Sequence, residues 1–324
     1  MGGGFLARRL GQAAITIILI VLINFLLFRA MPGSPERVLL GRVPNITPEV
    51  LAAVRERWGL DRPVFPDQFV AYIGATARGD FGFSFLARGQ TVVEVIGQRL
   101  WPTLLLFGVG ELIAVAVGLA LGAYTGWRRG GPIDFIGNGL ALILYSAPYF
   151  LIGMLLLLVF ATGLGWFPTF GMVTRGQSGG LVERIVDVGR HFVLPVTAVS
   201  IGLIGQYAIL MRSSVVETLT EDYITTARAK GISGGRILRN HAIPNALLPV
   251  VTLVAINLGY VVAGAITVEV VFNWPGLGTL TVEALAARDY PVLQGVFLLL
   301  SIGVVLANLV ADLVYGYLDP RVRT

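Results

Sequence analysis

The sequence contains no cysteine, which excludes disulfide bonds, thiolate catalysis and cysteine-ligated metal sites. Its two histidines, His191 and His241, lie far apart in the sequence, and no cluster of carboxylates flanks either of them. We therefore expect no metal site formed by this chain alone. The chain also lacks an H-E-x-x-H motif and a Ser/His/Asp set, so we expect no catalytic residues and no enzyme activity of its own.

Lysine is nearly absent as well, because Lys230 is the only one in the chain. A phosphate-binding P-loop needs a lysine followed by serine or threonine, since that lysine reaches the phosphates. Lys230 is followed by Gly231, so the chain cannot carry this motif. We expect this chain to bind no cofactor, and any ATP and magnesium to be bound by partner subunits.

Charged residues are scarce and hydrophobic residues are abundant. Charged residues make up 13% of the chain, hydrophobic residues 55%, and the mean hydropathy is +0.78. Several apolar runs exceed about 18 residues, a length that crosses a bilayer as a helix. The sequence therefore predicts an all-α polytopic membrane protein with six transmembrane helices. The predicted spans cover residues 10–30, 103–126, 134–162, 192–212, 247–271 and 293–316.

The N-terminal residues 1–30 could be a signal peptide, since Arg8 and Arg9 precede an apolar run. However, that run is longer than a usual signal-peptide core and no cleavage motif follows it, so we interpret it as an uncleaved first span. Residues 31–102 are too polar to cross the membrane. They contain helical patterns at Pro48–Trp58 and Pro66–Ala77, which predict a small folded extracytoplasmic segment.

The net charge of +5 comes almost entirely from arginine. In a membrane protein such a charge reports the orientation of the loops and does not indicate nucleic-acid binding. Arginines of short loops are concentrated on the side of the N-terminus, for example Arg128, Arg129 and Arg323. We therefore expect both termini, and the loop 213–246, to face the cytoplasm.

The loop 213–246 contains the polar stretch "EDYITTARAKGISGGRILRNHAIP", which predicts a short helix. Glu221 and Asp222 suit the positive end of a helix, and Arg228 and Lys230 suit its negative end. Gly231 then supplies a left-handed residue that ends the helix.

Three further features of this loop carry expectations. Thr220 can cap the first helix, and Ser233 can cap a second short helix. Pro244 is expected to separate that second helix from the fifth span. The two helices would then present Ala227, Ala229 and Gly231 as a small, flat surface.

The stretch "TTARAKGISGGRILRNHAIP" resembles the EAA loop of ABC-importer permeases, whose pattern is E-A-A, three residues, Gly, nine residues, then I-x-L-P. Thr225–Ala227 occupy the E-A-A positions and Gly231 the glycine. The sequence departs from the pattern at Thr225, which replaces glutamate, and at His241, which replaces isoleucine. "MPGSP", "GDFGFSF", "VIGQRLWPTLLL", "VEVVFNWPGLGTLTVEALAARDYPVLQGVFLL" and "NLVADLVYGYLDPRVR" resemble the dipeptide/oligopeptide branch in the same order, over most of the chain.

This resemblance implies a permease subunit of a type I ABC importer in a bacterial inner membrane, surrounded by lipid. Its partners would be a second homologous permease, two ATPase subunits or domains, and an extracytoplasmic substrate-binding protein. The EAA helix would dock on the ATPase, and a bulky charge such as Ala227→Glu should uncouple ATP hydrolysis from transport. The resemblance assigns ATPase coupling to Asp222, Tyr223, Thr226, Ala227, Arg228 and Gly231.

Polar residues inside the predicted spans are the candidates for the translocation path. Glu111, Gln206 and Asn257 are the path candidates, because an intramembrane polar group faces the bundle interior or a water-filled cavity. The alternative for all three is a structural hydrogen bond between spans, which is also expected of Asn24 and Asn308.

Outside these candidates, Arg212 is expected to extend to the cytoplasmic interface and Asp312 to be structural. Glu269 precedes "VFNWPGLG", which predicts a re-entrant or gate-like element with Trp274 at the membrane interface.

Two alternatives stay open at this point. An ion-coupled secondary transporter would need internal repeats and several midplane carboxylates, whereas the sequence has one midplane acid and no repeat. Within the importers, short peptides are the expected substrate. Nickel chelates and glutathione-like compounds are the alternatives.

Overall fold

The computed structural model describes residues 3–30, 61–87, 89–174, 176, 179–260 and 266–318. The predicted helix Pro48–Trp58 lies outside these residues. The described part of the chain is helical and contains one isolated β-bridge, between Phe83 and Thr91. The helices are α1 (Gly3–Ala30), α2 (Phe69–Ala77), α3 (Val92–Trp127), α4 (Pro132–Ser146), α5 (Tyr149–Leu156), α6 (Leu181–Thr218), α7 (Asp222–Ala229), α8 (Gly234–Ile237), α9 (Ile243–Tyr260), α10 (Ile266–Phe272), α11 (Leu277–Ala287) and α12 (Tyr290–Leu318).

Five helical segments of the described chain are long and apolar enough to cross a membrane, and a sixth span is a bent pair. The bent pair is α4 with α5 and its π-helical extension to Gly163, and the two halves meet at 97°. The bend lies at Ala147 and Pro148, both of which have extended backbone angles. Proline disfavours a helical conformation in the residue before it, so "AP" ends α4. The prediction of a polytopic helical membrane protein is confirmed.

Helix α3 begins well before the predicted span 103–126. Thr91 and Glu94 form a capping box, in which the Glu94 amide donates to Thr91 Oγ1 and Glu94 Oε2 accepts from the Thr91 amide. The first turns of α3 mix buried valines with the polar residues Glu94 and Arg99, and Arg99 forms an ion pair of 3.1 Å with Glu283 of α11. A hydropathy pattern locates the apolar part of a helix and misses such a polar extension.

The expected break at Pro244 is wrong. A π-helical turn, Leu238–Ala242, joins α8 to α9, and Pro244 is the second residue of α9. Proline has no N–H to donate within the helix, and a local π-helical adjustment lets a membrane helix continue past it. The membrane-length segment therefore runs from Gly234 to Asn257, and α10 begins at Ile266.

Helices α3 and α6 pack with their backbones in contact, through three glycines spaced four residues apart on α3. A Cβ added to Gly118 would lie 2.5 Å from Tyr207 Cβ. One added to Gly122 would lie 2.4 Å from the Ala208 carbonyl oxygen. One added to Gly126 would lie 3.0 Å from a backbone oxygen of α6. Small residues at such positions let two membrane helices approach closely, and dispersion contacts then stabilise the pair.

In a second contact region, hydrogen bonds connect α10 and α11 to the first half of α3. Glu269 is fully buried, and its carboxylate accepts hydrogen bonds from the Thr103 hydroxyl (2.6 Å) and the Gly278 amide (2.7 Å). Trp274 is fully buried as well, and its indole donates to the Pro102 carbonyl at 2.9 Å. Trp274 therefore faces the interior of the chain and not the lipid. The indole packs inside the chain because its N–H finds a partner there.

Two further polar expectations concern α12. Asn24 of α1 donates to the Gln294 carbonyl of α12 (3.2 Å), so its role between spans is confirmed, whereas Asn308 is exposed. Asp312 pairs with Arg9 at 2.9 Å, which confirms a structural role.

We predict that Gly122→Ala destabilises the protein, because the added methyl group meets backbone that cannot move aside without separating α3 from α6. Overpacking of this kind costs about 1–3 kcal/mol. Thermal unfolding of the purified protein in detergent measures the effect. Gly108→Ala on the same helix is the matched control, since a Cβ there has nothing within 4 Å, and unchanged stability of Gly122→Ala would contradict the packing argument.

Candidate functional site

The candidate site begins where α6 passes into α7. Three residues, 219–221, separate the two helices, and each has a backbone hydrogen bond back to the end of α6. Leu219 is 5% exposed and packs in the same apolar cluster as Val215 of α6 and Ile224 of α7. The connection is therefore a bonded turn, and α7 continues from α6 without a free linker.

Helix α7 has the ends that its sequence predicts, with one exception. Asp222 lies in the first turn, Arg228 in the last, and Gly231 has a φ of +73°, the left-handed conformation that glycine adopts without strain. The exception is the cap. Glu221 occupies the N-cap position, and the Thr220 hydroxyl donates to the Glu217 carbonyl instead.

The inner face of α7 is apolar and buried. Ile224 is fully buried, Ala227 is 5% exposed, and both belong to a cluster with Ile237 of α8 and Met211 of α6. The prediction that Ala227 contributes to an exposed flat surface is wrong. A helix this short packs one of its faces, and Ala227 lies three residues after Ile224 on that face. Ala227→Glu would therefore place a charge in the core.

The outer face of α7 carries the other predicted residues. Asp222, Tyr223, Thr226, Arg228 and Gly231 are all exposed. The Thr226 hydroxyl donates to the Asp222 carbonyl, so this side chain is held against its own helix. The pKa of the Tyr223 phenol is raised by partial burial and by the Glu221 carboxylate, so the phenol stays protonated and can donate. The face combines acidic, basic and hydroxyl groups around one aromatic ring.

Helix α8 packs against the buried face of α7. Gly234, its first residue, packs so closely on Trp127 at the end of α3 that an added Cβ would lie 3.0 Å from the indole ring. The Ile232 amide donates to the Ala227 carbonyl, which closes the turn between α7 and α8. The candidate docking face therefore rests on both α3 and α6, the two helices that pack backbone to backbone.

A polar cluster within the spans contains the predicted path residues. Glu111 of α3 is 3% exposed, and the Tyr207 hydroxyl of α6 donates to its carboxylate. Asn257 of α9 donates to the same hydroxyl at 2.8 Å. Gln206 immediately precedes Tyr207 in the sequence and is half-buried. Its side-chain nitrogen is buried and has no hydrogen-bond partner. The structure thus joins Glu111 and Asn257 through Tyr207, a residue that the sequence pattern did not single out.

We predict that Tyr207→Phe destabilises the protein by about 1–3 kcal/mol, because the buried Glu111 carboxyl and the Asn257 amide lose their shared partner. Thermal unfolding in detergent measures the change. Tyr124→Phe, on the exposed face of α3, is the control. Equal stability of the two variants would show that the three-residue contact contributes nothing.

The sequence also shows no indication of an ion pair near the end of α6. Arg212 donates from Nε to Asp134 Oδ1 at 2.5 Å and from Nη2 to Oδ2 at 2.8 Å. Asp134 is 5% exposed and lies in the first turn of α4. Arg212 is expected to extend to the cytoplasmic interface, and the structure adds that its guanidinium forms a bidentate pair within the chain. The partners are 78 positions apart in the sequence, so no local signal could have indicated the pair.

The membrane-length helices and the short helix α7 packed on their end define a polytopic helical membrane protein, and the comparisons with known proteins identify its family. Residues 118–324 match the binding-protein-dependent transport system inner membrane component, and residues 4–106 match the N-terminal part of such membrane components. The chain therefore belongs to the family of inner membrane components of binding-protein-dependent transport systems.

Similar proteins agree with this assignment over nearly the whole chain. A protein of Brucella suis biovar 1 that is named as a peptide permease is 38% identical over 307 residues, 95% of each chain. A glutathione transport system permease protein of Salmonella choleraesuis is 38% identical over 320 residues, 98% of each chain. A structure of the MetNI methionine ABC transporter in an inward-facing conformation matches with a TM-score of 0.57 and 19% identity, over 70% of this chain and 97% of that chain.

The protein is a permease subunit of a binding-protein-dependent ABC importer, and it is a multi-pass protein of the inner membrane. ATPase and substrate-binding partners follow from this class in general. The permease is a transport component and not itself an enzyme.

Proposed function

We propose that this permease forms the translocation path for short peptides together with a second, homologous permease. The observation that carries the proposal is full-length similarity at 38% identity to proteins named for peptide and for glutathione transport. Glutathione is itself a short peptide, so both names point to one chemical class. A separate binding protein outside the membrane would select the substrate and deliver it.

The orientation is part of the proposal and rests on arginine. Arg128 and Arg129 lie in the turn between α3 and α4, and Arg228, Arg236 and Arg239 lie in or near α7 and α8. These turns lie at the same end of the bundle, since Trp127 contacts Gly234. Arginine-rich short loops face the cytoplasm. We therefore place this end, with both termini, in the cytoplasm.

We propose that the exposed face of α7 docks on a cytoplasmic ATPase, with two ATPase subunits or domains in the complex. ATP and magnesium are bound there, because the only lysine of the permease is followed by glycine and cannot serve a P-loop. The docking residues are Asp222, Tyr223, Thr226, Arg228 and Gly231, all of them exposed. Ala227 contributes from the inner face by fixing the helix in the core.

The path residues follow from their exposure. Gln206 and Asn257 are half-buried as residues, whereas Glu111 is buried. The Gln206 side-chain nitrogen is itself buried, so this amide must change its rotamer before it can meet a passing peptide backbone. Glu111 is buried and acts through Tyr207, which its carboxylate holds in place for Asn257. Hydrogen-bonding amides suit a substrate made of peptide groups, since each can donate and accept.

We predict that Arg228→Glu weakens the retention of the ATPase subunits by about tenfold, equivalent to about 1.4 kcal/mol, because it reverses a charge on the docking face. Co-purification of the ATPase subunits with the tagged permease measures the retention, and ATPase activity of the complex is the second readout. Arg184→Glu is the matched control, since Arg184 is also exposed but lies at the opposite end of α6. Full retention in Arg228→Glu would exclude α7 as the docking element.

The substrate class is tested with the complete complex in proteoliposomes. We predict that the loaded binding protein stimulates ATP hydrolysis and uptake for di- and oligopeptides, with glutathione and a nickel chelate as separate arms. Stimulation by the nickel chelate alone would contradict the peptide assignment. Uptake by the permease alone, driven by an ion gradient without ATP, would contradict the importer mechanism and favour a secondary transporter.

A further inference from the structure

We propose that the Asp134–Arg212 ion pair is a positioning device that fastens α4, the first half of the bent span, to the α6–α7 unit. ATP-driven displacement of α7 then carries the bent span with it. This inference rests on the proposed docking of the ATPase on α7. The two residues contact no substrate, and they act by keeping the helices in register during the transport cycle.

The geometry of the pair suits this role. Both carboxylate oxygens of Asp134 are used by Arg212, at 2.5 Å and 2.8 Å, and the Gly130 amide donates to Oδ2 at 2.9 Å. A bidentate arginine–carboxylate pair restricts orientation as well as distance. Because Asp134 is buried, separation of the partners would leave an uncompensated charge inside the chain. The pair therefore resists sliding of α4 along α6, which apolar contacts alone would permit.

On the α6 side, the pair lies close to the proposed docking helix. Arg212 is within two turns of Thr218, the last residue of α6, and the bonded turn 219–221 leads directly into α7. The α3 backbone at Gly126 lies against Arg212 itself, since an added Cβ would be 3.0 Å from the Arg212 carbonyl oxygen. The arginine is thus anchored by its backbone to α3 and by its side chain to α4.

On the α4 side, the pair lies at the beginning of the bent span. Asp134 is in the first turn of α4, and the 97° bend at the other end of α4 leads into α5. The rest of the contact between α4 and α6 is close but apolar, as at Gly205, where an added Cβ would lie 2.5 Å from the Ala141 carbonyl oxygen. The ion pair is consequently the directional contact between this span and the unit that carries α7.

The first experiment uses Asp134→Asn in the complete complex, which keeps the size of the side chain and an acceptor for Gly130 but removes the charge. We expect about a tenfold drop in peptide transported per ATP hydrolysed, within the usual range of coupling between sites. Basal ATP hydrolysis and co-purification of the ATPase subunits should stay at the level of the unmodified complex. Asp312→Asn is the matched control, because it removes a carboxylate from the more exposed Arg9–Asp312 pair.

A second experiment keeps the inference testable if Asp134→Asn does not fold. The permease has no cysteine of its own, so Ile143→Cys on α4 and Glu217→Cys near the end of α6 can be spin-labelled selectively before the complex is assembled. Neither residue lies on α7, so the labels leave the proposed docking face clear. Both positions are exposed in the permease. In the otherwise unmodified complex, we expect the distance between the two labels to stay constant when ATP binds. In Asp134→Asn, we expect this distance to shift on ATP binding.

Two outcomes would overturn the inference. One is normal transport per ATP in a folded Asp134→Asn complex. The other is a label distance that changes on ATP binding while Asp134 and Arg212 are both present. Failure of the proposed docking gives a different result from these two outcomes. It would appear as unchanged ATPase retention in Arg228→Glu, without a change in the distance between the labels.

Discussion

The backbone contact between α3 and α6 is the constraint on which the rest of this structure depends. Gly118, Gly122 and Gly126 remove side chains from the interface, so two long membrane helices meet as one rigid unit. The elements that give the permease its features attach to this unit. Helix α7 extends from the end of α6, α8 rests on Trp127 of α3, and the bent span is tied to α6 by its first turn. Lipid supplies no hydrophobic force between helices, so close packing and polar contacts must hold them together.

Charged groups inside the bundle follow one rule, which is that each has donors or a counter-ion within the chain. Glu111 accepts from Tyr207, Glu269 accepts from Thr103 and two backbone amides, and Asp134 is paired with Arg212. An unsatisfied charge in this environment is costly, so these contacts are a condition for inserting the carboxylates at all. It follows that an acidic residue in a span is a weak indicator of a substrate site. Gln206 and Asn257 carry neutral side chains and are half-buried, so they are better candidates.

Local properties of the chain were predictable from sequence, and tertiary ones were not. The polytopic helical fold, the helix at 222–229 and the left-handed Gly231 follow from hydropathy, helix-end preferences and glycine geometry. The buried face of α7 depends on what packs against Ile224, so Ala227 was assigned to the wrong side. The continuity of the helix through Pro244 depends on a π-helical turn that has no sequence signature. The Asp134 pair joins residues far apart in sequence, and only the assembled bundle brings them together.

Because α7 is short, its packing against α6 and α8 matters for transport. A helix of eight residues is too short to be stable alone in water, so its position is set by the packing of Ile224 and Ala227 against α6 and α8. A force applied to the exposed face is therefore transmitted through that packing and through the bonded turn 219–221 to α6. Because α6 and α3 share a backbone interface, the two must move together. The movement reaches the remaining spans only through their contacts with this pair, and the polar contacts among them determine which spans follow.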